Sequence, residues 1–196
     1  MCKRRGEYMR ILMFVLCLIA GCCLCDDAAW ERVPGMLKPI KNKIEADFTL
    51  LRHFKDLDFD MNGNGSMTFT PGHELIFRTE KPVKTVCTLT PTQVTLNEGE
   101  TGKTTAIKAE QQPWIKQIFQ LQDSWLRGEV NALKAEFDVL VQDENTLIFT
   151  PRNSRMQAFV KTMQLHIEPK TRHIAKVVMI EVSGDSITIT FNNIRE

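Results

Sequence analysis

Cysteine is almost missing from the part of this chain that is expected to fold. Five of the six cysteines lie within the first 25 residues, and only Cys87 follows them. An intrachain disulfide framework is therefore excluded for the folded part. The alternating segment KTVCTLT predicts a strand in which Cys87 is a small buried hydrophobe.

An excess of charge of one sign is missing as well. The formal net charge is +1, and the first 21 residues contribute +3 from four basic residues and one glutamate, which leaves about −2 beyond them. A nearly neutral chain gives no electrostatic reason to expect nucleic-acid binding. With 196 residues and 43% hydrophobic content, the composition is that of a single globular domain with a core.

The apolar run at the start of the chain is too short to span a bilayer as a helix. It covers residues 11–20 and follows basic residues at positions 3, 4, 5 and 10, which is the arrangement of a signal peptide. We therefore expect residues 1–25 to be a processed signal peptide and residues 26–196 to form one exported domain.

The end of this run resembles a bacterial lipobox. It reads Leu-Ile-Ala-Gly-Cys over residues 18–22, with small residues directly before the cysteine, so Cys22 is a candidate for lipid attachment. Cys23 and Cys25 follow at once, and a cut near Cys25 or initiation at Met9 is the alternative. A periplasmic protein, soluble or anchored through Cys22, is expected in either case.

Residue patterns typical of catalysis or metal binding are sparse. His166, Glu168 and His173 could imitate a zinc site, but strand alternation places 166 and 168 on the wet face. The segment Gly184-Asp185-Ser186 is more typical of a tight turn than of a hydrolase, because no general base is placed by spacing. We expect no enzymatic activity, no metal and no cofactor.

What the chain does contain is one strongly apolar helix among strands. Residues 113–127 carry an apolar stripe at helical spacing with a tryptophan near each end. Two shorter helices are predicted over residues 28–43, interrupted by Pro34 and Pro39, and over residues 129–135. The stripe consists of Trp114, Ile115, Ile118, Phe119, Leu121, Trp125 and Leu126.

Most of the remaining sequence alternates between apolar and polar residues, which predicts strands. Eleven mostly antiparallel strands and a helix with a wide apolar face favour an open (incomplete) antiparallel β-barrel with a helical lid over a hydrophobic cavity. The predicted strands cover residues 46–54, 66–70, 74–79, 84–90, 93–97, 104–108, 137–141, 147–149, 163–168, 172–183 and 186–192.

The residues predicted to face inward are almost all apolar, and such a cavity suits acyl chains better than polar metabolites. They are Phe48, Leu50, Met67, Phe69, Leu75, Phe77, Phe137, Val139, Val141, Phe149, Met163, Leu165, Ile167, Met179, Ile187, Ile189 and Phe191.

Two segments resemble the bacterial outer-membrane lipoprotein carrier proteins, the LolA and LolB family. Residues 65–82, GSMTFTPGHELIFRTEKP, are similar to a patterned segment of that family with prolines at fixed positions. Residues 180–194, IEVSGDSITITFNNI, resemble its closing hairpin. The resemblance covers residues 28–194 and is closest to divergent members associated with lipid-like cargo.

The resemblance implies an open β-barrel capped by helices, whose cavity accepts the acyl chains of lipoproteins and moves them toward the outer membrane. It also implies a monomeric, non-enzymatic protein that receives cargo from an inner-membrane exporter and passes it to an outer-membrane acceptor. The family's housekeeping carrier has a basic residue before the proline at Pro71, where it latches the lid. This chain has Thr70 there, and Arg78 is only a weak substitute.

We hypothesise that the apolar stripe of residues 113–127 plugs the barrel when it is empty and shifts when an acyl chain enters. Met67, Met163 and Met179 would supply an adaptable wall. The alternative is that the stripe is ordinary core. A different function class, an assembly lipoprotein whose helix docks onto a partner protein without binding a ligand, also remains open.

Overall fold

The computed structural model describes residues 27–111 and 114–196. The predicted signal peptide, the candidate lipidation site Cys22 and Pro113 lie outside the described residues. The same holds for the side chains of three residues of the predicted lid, Trp114, Ile118 and Leu121.

Eleven strands form one antiparallel sheet, which confirms the predicted number of strands and the predicted fold class. In spatial order they run β6-β5-β4-β3-β2-β1-β11-β10-β9-β8-β7, and the sheet does not close on itself. Their bounds are β1 Ile44–Phe54, β2 Phe59–Thr70, β3 Glu74–Lys81, β4 Thr85–Leu89, β5 Gln93–Glu98, β6 Lys103–Lys108, β7 Phe137–Val141, β8 Thr146–Pro151, β9 Val160–Ile167, β10 Ile174–Glu181 and β11 Ser186–Arg195.

The two halves of the sheet meet where β1 pairs with β11. Phe48 lies opposite Phe191, and Leu50 lies opposite Ile189. Because side chains alternate between faces along a strand, this register places the apolar residues of both halves on one face. We call this apolar face, which carries most of the buried residues, the inner face.

The described residues form four α-helices beside the sheet: α1 Asp27–Met36, α2 Trp114–Leu126, α3 Val130–Glu136 and α4 Ser154–Gln157. Helix α1 ends well before residue 43, earlier than predicted, after Pro34 in its last turn. The chain leaves α2 through Gly128, whose φ of 69° lies in the left-handed region that glycine adopts without strain. In the part of the chain described, no helix has the length and hydrophobicity needed to cross a membrane.

The core has two parts. The first joins α1, Trp125 of α2 and Leu133 of α3 to strands β7–β10, and the rings of Trp125 and Phe149 lie 4.6 Å apart between centroids. The second joins Ile115 and Phe119 of α2 to strands β1–β5. Helix α2 thus belongs to both parts, and Ile115, Phe119 and Trp125 of its predicted apolar stripe are buried in the core.

Candidate functional site

A cavity of about 150 Å³ opens at the inner face between β1–β5 and β11. Phe48, Leu50, Phe77 and Ile189, four of the residues predicted to face an acyl chain, line it. Sequence reasoning did not place Met61, Cys87 or Leu96 there, although the alternation along their strands could have shown that Cys87 and Leu96 face inward. Further lining comes from Gly63, Thr79, Lys81, Pro82, Val83, Thr85, Glu98, Glu100 and Thr101.

Strands β3, β4 and β5 present three successive rows of side chains on the inner face. The first row is Leu75–Leu89–Val94, the second is Phe77–Cys87–Leu96, and the third is Thr79–Thr85–Glu98. Same-face rows follow one another at about 6.6 Å along a strand.

These rows change from buried and apolar at one end of the strands to polar at the other end. The first row is fully buried and shares its cluster with Ile115 and Phe119 of α2. The second row forms the apolar wall of the cavity, and the third row forms its polar mouth. Helix α2 therefore covers one end of these strands, while the cavity occupies the other end.

Two glycines on β2 shape this part of the inner face. A Cβ atom at Gly65 would lie 1.9 Å from the carbonyl oxygen of Arg78 and 2.9 Å from the Phe48 ring. The β2–β3 register shifts between Asn64 and Gly65. Gly63 lines the cavity itself, and a Cβ atom there would lie 2.9 Å from the carbonyl oxygen of Lys81.

Cys87 contributes an apolar surface to the cavity wall. Burial raises the pKa of the Cys87 thiol to about 12, so the thiol stays protonated at neutral pH. A protonated buried thiol is a poor nucleophile and packs as a small hydrophobe. The expected role of Cys87 as a buried hydrophobe is confirmed.

The remaining residues of the predicted cavity set lie elsewhere on the inner face. Phe191 and Met67 border a second, smaller cavity of about 40 Å³ near the α1–β1 connection, together with Trp125 and Leu126. Phe69 and Leu75 are buried in the α2-covered part of the core. The others fill or border the core beneath α1 and α3: Phe137, Val139, Val141, Phe149, Met163, Leu165, Ile167, Met179 and Ile187.

Helix α2 is held in place by a contact that sequence reasoning did not find. The Asp123 carboxylate accepts a hydrogen bond of 2.7 Å from the backbone N–H of Gly72, in the turn between β2 and β3. Arg127 pairs with the other Asp123 oxygen at 3.1 Å. Arg78, considered as a substitute latch, instead donates to Thr68 at 3.4 Å.

A buried ion pair also lies on the inner face. Arg52 follows Leu50 on the same face of β1, and its guanidinium lies 3.0 Å from the Glu181 carboxylate at the end of β10. Both side chains are buried, and the Arg52 guanidinium also stacks 4.7 Å from the Phe54 ring centroid. The prediction that almost no polar residue faces inward was wrong at Arg52. Its charge is stable in the interior because the carboxylate of Glu181 compensates it.

The candidate zinc and hydrolase residues serve other contacts. His173 Nε2 lies 3.0 Å from the terminal Glu196 carboxylate, and burial lowers the pKa of His173. Asp185, in the β10–β11 turn, accepts a hydrogen bond from the backbone N–H of Lys55. Among the described residues, no group of three or more His, Cys, Asp or Glu side chains could hold a metal ion.

Comparison with solved structures finds similar folds at very low identity. An uncharacterized conserved protein from Thermus thermophilus is similar with a TM-score of 0.52 and 9% identity, over 87% of this chain and 86% of that one. A LolA superfamily protein from Nitrosomonas europaea is similar with a TM-score of 0.43 and 7% identity, over 88% and 94%. LprF from Mycobacterium bovis is similar with a TM-score of 0.40 and 14% identity, over 85% and 89%.

At these identities the similarities concern the fold and leave the function to be argued from the site. No protein-family model matches the sequence, and no match to a curated protein is found. The class is an open antiparallel half-barrel whose apolar inner face is covered by helices. The solved structures with a similar fold include the LolA superfamily protein, which is in line with the family that segments 65–82 and 180–194 resemble.

Proposed function

We propose that this protein is a carrier or acceptor that holds the acyl chains of lipoproteins or lipid-like cargo. The observation that supports this proposal is the cavity between β1–β5 and β11, which has an apolar wall and opens at a polar mouth. Burial of a chain there contributes about 0.8 kcal/mol for each CH₂ group that leaves water.

The role of helix α2 follows from its position. Ile115, Phe119 and Trp125 are buried in the core, so these three side chains are not available to dock onto a partner protein. That geometry favours the carrier over the alternative of an assembly lipoprotein that docks through the helix. In the carrier, α2 closes one end of the inner face and leaves the cavity at the other end for cargo.

The proposal also includes the cellular location of the protein and its partners. In this proposal the signal peptide exports the domain 26–196 to the periplasm. Cleavage directly before Cys22 leaves that cysteine as the lipid anchor, and cleavage near Cys25 leaves a soluble domain. The resemblance to the lipoprotein carriers implies an inner-membrane exporter as donor and an outer-membrane acceptor as recipient of the cargo. Neither partner is identified by the chemistry of the described residues.

Native mass spectrometry of the protein purified from its host without detergent tests the proposal. We expect a bound amphiphile that is released by organic solvent, and a mature mass that reports the N-terminus. Absence of any amphiphile, together with no binding of added fatty acid, would overturn the carrier function. A free amino group on Asp26 would overturn the anchor at Cys22 and leave the carrier function standing.

A further inference from the structure

The mouth of the cavity carries charges of both signs on opposite sides. Lys81 begins the β3–β4 connection on one side, and Glu98 and Glu100 lie at the β5–β6 turn on the other. The third row of side chains, Thr79–Thr85–Glu98, runs between the two sides. A bound amphiphile whose chain contacts the second row would therefore have its headgroup between Lys81 and the glutamates.

Hydrogen bonds connect the parts of the rim that carries these charges. The backbone N–H of Gly99 donates to the carbonyl oxygen of Lys84 at 2.9 Å, which joins the β5–β6 turn to the β3–β4 connection. Thr101 donates its hydroxyl to Glu98 at 3.1 Å. The headgroup region is thus preorganised, and preorganisation reduces the cost of binding.

Lys81 and Glu100 are both exposed at this rim. Within residues 27–111 and 114–196, neither of them forms an ion pair with another side chain. Their charges are available to a ligand, and a headgroup with charges of both signs can satisfy them together. An anionic headgroup would be attracted by Lys81 but repelled by the two glutamates. A cationic headgroup would be attracted by the two glutamates but repelled by Lys81.

We propose that the cavity selects amphiphiles with a zwitterionic headgroup, the ammonium group toward Glu98 and Glu100 and the phosphate group toward Lys81. This inference rests on the proposed carrier function and names the class of its cargo. The charged groups lie at a solvent-exposed rim, so each contact adds modest selectivity while the apolar wall supplies most of the affinity.

Three probes with the same dodecyl chain test this inference: dodecylphosphocholine, tridecanoate, which is the dodecyl carboxylate, and dodecyltrimethylammonium. Each displaces a fluorescent fatty acid from the full chain, below its micelle concentration and at low salt. We expect dodecylphosphocholine to bind about fivefold more tightly than either singly charged probe, the size of one exposed charge pair. This preference should shrink as salt is added, because exposed charges are screened.

Charge-neutral variants separate the two sides of the mouth. Lys81→Gln should weaken the binding of tridecanoate and dodecylphosphocholine by about threefold to fivefold. Glu98→Gln combined with Glu100→Gln should weaken the binding of dodecyltrimethylammonium and strengthen that of tridecanoate. The matched controls are Lys108→Gln and Glu110→Gln, which are exposed toward the opposite end of β6. They should leave all three affinities unchanged.

The outcomes distinguish this inference from the carrier function itself. If all three probes bind equally, or if the controls change affinity as much as the mouth variants do, the headgroup selectivity is wrong and the carrier function stands. If none of the dodecyl probes and no fluorescent fatty acid binds to a folded protein, the carrier function fails and this inference fails with it.

Discussion

At the scale of single residues, the cavity depends on side chains that are absent or small. Gly65 lies where β2 approaches the β3 backbone so closely that no Cβ atom fits without movement. Cys87 leaves space along the wall that a larger residue would fill, and Gly63 lets the backbone at Lys81 approach β2 closely. The order of bulky and small residues along β1–β5 therefore matters more for the site than any single reactive group.

Gly65→Ala should destabilise the fold by about 1–3 kcal/mol, because the added methyl group forces β2 away from the Arg78 carbonyl and the Phe48 ring. Urea unfolding followed by circular dichroism measures the change. The control is Gly35→Ala in α1, where a Cβ atom meets nothing within 4 Å. That variant should be neutral or more stable by up to about 1 kcal/mol. Equal stability of the two variants would contradict the close approach at Gly65.

At the scale of elements, α2 is a cover that hydrogen bonds hold at its C-terminal end. Its Asp123 holds the β2–β3 turn at Gly72, and its last residue Leu126 accepts a hydrogen bond of 3.1 Å from the Ile40 backbone N–H. Trp125 packs among aromatic rings rather than along the large cavity. The expected movement of the whole apolar stripe on loading would require these contacts to break.

Asp123→Ala should lower stability by about 1 kcal/mol and speed hydrogen exchange of the Gly72 amide, because the amide loses its acceptor. Nuclear magnetic resonance measures that exchange at the single residue. Arg127→Gln is the matched control, since it removes the exposed partner of Asp123 and keeps the acceptor. Unchanged exchange at Gly72 in Asp123→Ala would show that this hydrogen bond does not hold α2.

The same element shows what the sequence could and could not predict. The 3.6-residue periodicity located α2 within one or two residues, and period-two alternation located all eleven strands. Periodicity does not say which neighbour a face covers, so the division of α2 between two parts of the core was not predictable. Nor could it reveal Asp123 as a latch, because its partner is a backbone N–H of a distant turn.

At the scale of the whole molecule, the open sheet is filled unevenly. Helices α1 and α3 fill the inner face over β7–β10, and α2 covers one end of β1–β5. The cavity occupies the end that remains. The sequence pattern predicted an apolar inner face, which Arg52 and the row Thr79–Thr85–Glu98 interrupt. It also treated all seventeen predicted inward residues as equivalent, since alternation carries no information about which helix covers them.

The central claim is that an acyl chain binds along the second row of side chains, and a cavity-filling variant tests it most directly. Leu96→Trp places a large ring in the cavity, and Leu140→Trp places the same ring on the exposed side of β7 as a control. Displacing only two CH₂ groups of a fatty acid costs about 1.6 kcal/mol, which corresponds to more than tenfold in affinity.

Titration of a fluorescent fatty acid into both variants, each checked for its β signal by circular dichroism, gives the answer. We predict that Leu96→Trp loses at least about tenfold in affinity while Leu140→Trp binds as the original protein does. A folded Leu96→Trp variant with unchanged affinity would contradict acyl-chain binding in this cavity.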